Sequence, residues 1–172
     1  SQIYLRHFAD SLQLGTLLNP VGAQVDSAKS KFKLMDMGSG AGLPGLALAM
    51  AHPAWEVTSV EATGKKVRFQ QQVGKSAGLM NAHILQGRAE DLAHEPAFRA
   101  QFDLVTARAV GHLRILTELG LAYAKVGGRL VFFKGPKIDQ ELQEAEATIR
   151  YLGAKTASIH RYHLSEIAQD LE

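Results

Sequence analysis

Two carboxylates and a cluster of glycines carry the chemistry legible in this chain. Asp36 lies in an apolar run, Leu34-Met35-Asp36-Met37, and Gly38-Ser39-Gly40-Ala41-Gly42-Leu43-Pro44-Gly45 follows at once. Glycines at 38, 40 and 42 permit a tight turn and bring bare backbone to a ligand where a Cβ would clash. Pro44 suits the first turn of a helix, because its φ is already fixed and its missing N–H would have had no partner. Leu46-Ala47-Leu48-Ala49-Met50 continues that helix. A strand, glycine turn and helix of this kind place a nucleotide-like ligand at the carboxyl end of the first strand of an open α/β sheet. Glu61 ends the next strand-like run, Glu56-Val57-Thr58-Ser59-Val60-Glu61. It falls roughly 20 residues past the glycine loop, where a carboxylate accepts hydrogen bonds from both ribose hydroxyls. The plainer alternative for Glu61 is a solvated strand end.

The ligand class follows from what the loop lacks. A dinucleotide site calls for G-x-G-x-x-G directly after the strand. Counted from Gly38, the third glycine position holds Leu43. A literal match at 40, 42 and 45 starts two residues too late. Asp36 also disfavours a pyrophosphate, since two anions in a shielded loop repel strongly. S-adenosylmethionine has no phosphate and carries an ammonium and a sulfonium, which fits an acidic strand end followed by G-x-G. The competing reading is that Asp36 caps the turn and the glycines only make a bend.

Methyl transfer from a sulfonium is an in-line displacement that depends mainly on placement. Carbon-5 of a pyrimidine needs a thiolate, and the chain has no cysteine. Exocyclic amines commonly use Asn or Asp, then Pro-Pro and an aromatic residue, after the fourth strand; here that place holds Thr106-Ala107-Arg108-Ala109. The run 106–110 directly after that strand holds no histidine or carboxylate to serve as a general base. Guanine N7 needs no base, because its lone pair is already nucleophilic. Arginine matches the N7/O6 acceptor pair of guanine, so Arg108 is the candidate residue for placing an acceptor. Four roles stay open for it: the guanine edge, a phosphate, the cofactor region, or a structural ion pair with Asp103 or Glu90. Lys65, Lys66 and Arg68 oppose the dipole of a helix they open, which suits either phosphate contact or a solvated basic face. Lys134 borders the same side, with RNA contact and an internal role both open. His7 and Asp10 either wall the site or cap and pack.

The chain has 172 residues, a net charge of +2 and a pI near 8.9, which permits a polyanionic partner without demanding one. This length suits one domain: residues 1–31 as an amino-terminal helix and connection, and 32–163 as a cofactor-binding core. No apolar run is long enough to cross a membrane, and the scattered histidines lack metal-ligand spacing. Periodicity predicts helices over 2–19, 44–52, 65–76, 96–100, 112–125 and 137–152. It predicts strands over 32–37, 56–62, 82–86, 102–107, 129–134 and 155–162, with Gly127-Gly128 closing the fifth helix and residues 164–172 left without an element. Alternating strands and helices imply a doubly wound, mostly parallel sheet, the Rossmann-like class I methyltransferase architecture.

The runs RHFADSL at 6–12, DMGSGAGLPG at 36–45, GKKVRF at 64–69, GRAED at 87–91, TARAV at 106–110 and FFKG at 132–135 occur in this order. Together they resemble the bacterial small-subunit (16S) ribosomal RNA guanine-N7 methyltransferases, the glucose-inhibited division protein B family. The resemblance runs from Leu5 to about residue 164. It implies S-adenosylmethionine as cofactor and ribosomal RNA, as the small subunit or its assembly particle, as partner. The expectation is a monomer without metal, and the lack of cysteine is compatible with a cytoplasmic location. Gly38, Gly40 and Leu43 would line the methionine and adenosine side; Glu61, Ala62 and Thr63 would meet ribose and adenine. Ala89 and Glu90 would frame the adenine, and Arg108 matches the family's arginine beside the cofactor. Further helices before the RHFADSL run and a last antiparallel strand are usual in the family and are expected to be missing here. Other readings are a methyltransferase with a different substrate, a nucleotide-dependent oxidoreductase, and an RNA-binding module without activity.

Overall fold

A computed structural model describes residues 8–18, 31–108, 111–156 and 158–162. The elements in chain order are α1 (Asp10–Leu18), β1 (Lys33–Met37), α2 (Gly45–Ala51), β2 (Glu56–Glu61), α3 (Gly64–Ser76), β3 (Ala82–Gln86), α4 (Ala89–Leu92), β4 (Phe102–Arg108), α5 (Leu113–Tyr123), β5 (Ala124–Phe133) and α6 (Ile138–Tyr151). The five strands form one parallel sheet in the order β3-β2-β1-β4-β5. Strand β1 sits at the centre because both of its faces are apolar, the pattern of a strand covered on two sides. Leu34 packs with Leu14, Leu48, Val57 and Leu104 on one face. Met35 and Met37 pack with Val60, Val105, Ala107, Leu116 and Tyr123 on the other. Helix α2 buries five consecutive residues, Gly45 to Ala49. A helix apolar on all sides belongs inside, and α1 covers its outer flank through Leu14.

The strand order reverses at β1, so the chain leaves in opposite directions from β1 and β4 and opens a crevice at their carboxyl ends. Register places Met37 opposite Val60 on one side and Ala107 on the other. Glu61 pairs with Gln86 of β3, and Arg108 pairs with Phe133 of β5. The glycine loop, Glu61 and Arg108 therefore share one edge of the sheet.

Three predicted elements differ. Residues 96–100 form turns, and the helix after β3 is Ala89–Leu92 instead. Its Leu92 and Ala93 pack against the sheet, and Phe98 follows without a helical repeat. The fifth helix ends at Tyr123, not at Gly127-Gly128, and β5 starts at the next residue. Phe102 pairs with Ala124, while Leu104 pairs with Arg129, so residues 125–128 form a bulge inside the strand. Gly127 holds φ +80° there, and a Cβ on Gly128 would lie 2.9 Å from the Lys125 carbonyl. The glycine pair therefore makes a strand irregularity, which bulges tolerate, and not a helix stop. Residues 155, 156 and 158–162 form no strand; they run past the sheet and send Tyr162 to α1. Within 2–19, α1 accounts for residues 10–18. His7 and residues 19–30, 109–110 and 163–172 lie outside the described residues.

Candidate cofactor site

The loop after β1 is shaped by backbone that only glycine adopts readily. Gly38, Gly40 and Gly42 have φ of 63°, 58° and 94°, a region costly for residues with a Cβ. A Cβ at Gly40 would meet nothing nearer than the Gly38 carbonyl at 3.9 Å, so Gly40 shows bare backbone on the loop's outer side. Gly45 is glycine for a different reason. A Cβ there would stand 2.6 Å from Ser59 Oγ and 2.8 Å from Asp36 Oδ2.

Those two atoms belong to a buried polar row across the sheet. Asp36 is opposite Ser59 in β2 and opposite Thr106 in β4. Asp36 Oδ2 accepts the Gly45 N–H at 2.8 Å, and Oδ1 accepts the Thr106 hydroxyl at 3.1 Å. Asp36 is fully buried, and burial pushes its pKa from the ordinary 3.8 to about 7. The Gly45 and Thr106 hydrogen bonds and the Arg108 charge pull against that rise. Asp36 thus caps the first turn of α2 from inside. This is the capping reading, and it corrects the picture of a carboxylate presented to the ligand. The electrostatic case against a pyrophosphate loses its direct contact, whereas the misplaced glycine spacing stands.

Glu61 is the carboxylate that meets the loop. Its Oε2 accepts the Gly40 N–H at 3.0 Å and its Oε1 accepts the Thr63 N–H at 2.8 Å. It is 7% exposed, with Lys66 Nζ 3.9 Å away. Burial alone would raise its pKa, but the Thr63 and Gly40 hydrogen bonds and the Lys66 charge outweigh it and hold the carboxyl below its ordinary range. Glu61 is therefore an ionised acceptor at neutral pH, and two oxygens with about four lone-pair sites keep capacity for further donors. Ala62 and Thr63 are exposed next to it, and Leu43 is half-buried in the loop.

Ala89 opens α4 beside β3, with its carbonyl taken by Tyr123 Oη at 2.5 Å; Glu90 is exposed. Gly87 donates to the Glu61 carbonyl at 3.1 Å, which draws the start of α4 towards the same edge. Arg108 lies across the crevice from Glu61. Its Nη2 is 3.1 Å from Asp10 Oδ2 and its Nη1 donates to Ser11 Oγ at 3.3 Å. The predicted structural partners, Asp103 and Glu90, are not those found: Asp103 pairs with Lys125 at 3.1 Å. Lys134 also turns inward. It pairs with Glu141 at 2.7 Å and donates to the Gly111 carbonyl at 2.9 Å, with its side chain 11% exposed. An internal role therefore replaces RNA contact for Lys134. Lys65, Lys66 and Arg68 stay exposed on α3.

One loop-holding residue escaped the sequence. Gln70 is fully buried; its Nε2 donates to the Gly40 carbonyl and lies within hydrogen-bond reach of Ser39 Oγ, both at 2.9 Å. The available signal was its place between Val67 and Gly74 on the inward stripe of α3. Among the described residues, no group of three or more histidine or acidic side chains is disposed to hold a metal.

Comparison with known proteins bears on the family and the fold. The profile of the family described as "GidB: rRNA small subunit methyltransferase G" matches residues 1–169. Proteins named ribosomal RNA small subunit methyltransferase G from Streptococcus pyogenes serotypes M12 (strain MGAS2096) and M49 (strain NZ131) are 39% identical over 164 residues, covering 95% of this chain and 66% of theirs. The chain thus spans about two thirds of the length of these relatives. Among solved structures, a SAM-dependent methyltransferase from Aquifex aeolicus superposes with a TM-score of 0.62 at 18% identity, covering 92% of this chain and 86% of that one. The ribosomal protein L11 methylase of Lactobacillus delbrueckii gives 0.64 at 16%, covering 90% and 74%. These two likenesses establish the fold, and the profile and sequence matches establish the family: the chain belongs to the GidB family, rRNA small subunit methyltransferase G.

Proposed function

We propose that this chain is an S-adenosylmethionine-dependent methyltransferase that modifies N7 of a guanine in small-subunit (16S) ribosomal RNA. The observation that carries the reading is Glu61 closing on the Gly40 amide, which joins an ionised carboxylate to a bare glycine loop at the carboxyl edge of β1 and β2. The donor set fits the cofactor. Gly38, Gly40 and Leu43 would hold its methionine and adenosine side, and Glu61 would accept from the ribose hydroxyls. Ala62, Thr63, Ala89 and Glu90 would border the adenine. When bound, the cofactor supplies an electrophilic methyl group on a sulfonium.

The protein's own work is placement. Arg108 stands at the acceptor side and presents a planar cation suited to the N7/O6 edge or to a phosphate beside it. Asp10 is the carboxylate found next to Arg108, but its two oxygens are engaged by Arg108 and Tyr162. That suits an acceptor from which no proton is removed before attack. The name carried by the relatives, ribosomal RNA small subunit methyltransferase G, supports the RNA substrate. No helix among the described residues is long and apolar enough to cross a membrane. We further read the chain as one domain, acting as a metal-independent monomer in the cytoplasm, where it would meet the ribosomal particle.

Two measurements test this. Calorimetry should show binding of S-adenosylmethionine and its demethylated product, and tighter binding of NAD would overturn the cofactor assignment. Labelled methyl should pass to small-subunit particles lacking the modification and be recovered as 7-methylguanosine after digestion to nucleosides. Label on a pyrimidine or an exocyclic amine would refute the acceptor.

A further inference from the structure

We propose that Asp10, Ser11 and Tyr162 are positioning residues for Arg108, so that α1 and the segment after α6 jointly set the guanidinium at the transfer site. The proposal rests on the methyltransferase reading above.

Three restraints converge on one side chain. The β4–β5 register fixes the Arg108 backbone opposite Phe133, and the guanidinium carbon lies 5.9 Å from the centre of the Phe133 ring. A cation over an aromatic face is attracted to it. Two adjacent residues of α1 then take two different guanidinium nitrogens: Asp10 Oδ2 meets Nη2 at 3.1 Å, and Ser11 Oγ meets Nη1 at 3.3 Å. Paired contacts to a planar fork restrict its rotation, which one contact does not do.

Burial makes this pairing more than a surface bridge. Asp10 is 8% exposed, Ser11 is fully buried and the Arg108 side chain is 17% exposed. Exposed pairs hold geometry poorly, whereas charges withdrawn from water attract more strongly. Asp10 is itself held, because its other oxygen, Oδ1, accepts from Tyr162 Oη. That phenol is pushed well above its ordinary pKa by burial and by Asp10, so it remains a donor throughout the neutral range. The chain of contacts runs from Tyr162 through Asp10 to Arg108, joining segments 152 positions apart at one carboxylate.

The test compares Asp10→Asn, Tyr162→Phe and each combined with Arg108→Ala. Asp10→Asn keeps the shape and an acceptor for Tyr162 but removes the charge. Its kcat for methyl transfer to small-subunit particles should fall about tenfold or more, the scale of small misplacements at a reacting centre. Tyr162→Phe should fall less, and it guards against a folding defect in the first variant. Neither change should cost further activity once Arg108 is alanine. Rotation about the Arg108 Nε–Cζ bond, read by NMR on arginine-labelled protein, should be slow in the wild type and fast in Asp10→Asn. Full kcat in both variants, or an equal loss with and without Arg108, would overturn the proposal. Slow Arg108 rotation in Asp10→Asn would do so as well. A wild type that binds no S-adenosylmethionine and transfers no methyl would overturn the functional reading instead, and the rotation measurement would still decide whether Asp10 holds Arg108.

Discussion

Asp36 and Glu61 are both acidic residues in or at the end of a strand, yet burial and partners send them to opposite protonation behaviour. The folded pKa of Asp36 lies near 7, above its ordinary 3.8. A raised carboxyl favours the folded state at low pH, and that contribution is lost as pH rises from about 4 through 7. Each pKa unit corresponds to about 1.4 kcal/mol, so ionised Asp36 costs a few kcal/mol of stability above neutrality. Asp36→Asn keeps an acceptor for Gly45 and removes the charge. It should raise the melting temperature at pH 8 relative to wild type, with the advantage shrinking by pH 5, as followed by calorimetric scans. Glu61 behaves in the opposite sense, ionised across the neutral range. Glu61→Gln should weaken S-adenosylmethionine binding by roughly 1.5–3 kcal/mol, the scale of hydrogen bonds to a charged group; titration calorimetry checks this. The positions of both carboxylates were legible in the sequence. Which of them meets the glycine loop at Gly40 was not, because that depends on the register that sets Asp36 between Ser59 and Thr106.

At the scale of elements, α2 is fastened to the sheet through a glycine that only packing explains. Gly45→Ala would drive a Cβ into Ser59 Oγ and Asp36. Overpacking of this kind costs about 1–3 kcal/mol, measurable by urea denaturation. Among the described residues Ser59 Oγ is buried without a hydrogen-bond partner, so Ser59→Ala alone should be neutral or stabilising. It should also recover part of the Gly45→Ala loss. Helices α5 and α6 are joined differently. Glu141 accepts the Leu113 N–H at 2.8 Å and pairs with Lys134. The Lys134 hydrogen bond, followed by that of Leu113, holds its carboxyl below the ordinary range against the effect of burial. Its contribution is therefore present above pH 4.5 and lost on acidification. Glu141→Gln should lower the melting temperature at pH 7 and have a smaller effect near pH 3. Five helices and five strands were readable because buried parallel strands are continuous apolar runs and helices end at glycine or proline. The seam at Tyr123–Ala124 was not, since a helix passing straight into a strand leaves no turn signal and Gly127-Gly128 mimics one.

Across the whole molecule, the sheet divides the proposed work between two sides. The cofactor side is local in sequence: the glycine loop, Glu61 and Gln70 lie within one stretch, and residue types announced most of it. The acceptor side is assembled from α1, the end of β4 and the segment after α6, and no local pattern announces a meeting of Ser11, Asp10, Arg108 and Tyr162. The same division bears on the order in which the protein acquires function as it folds. The Gly40–Glu61 contact closes 21 positions, and the Asp10–Tyr162 contact closes 152. Loop entropy makes the longer closure dearer by about 2 kcal/mol. On refolding from urea, competence to bind S-adenosylmethionine should therefore return in an earlier kinetic phase than competence to transfer methyl, and Tyr162→Phe should lengthen the interval. A protein emerging from synthesis would then load its donor before its acceptor side is finished, and would be charged but slow to transfer methyl until residue 162 has docked.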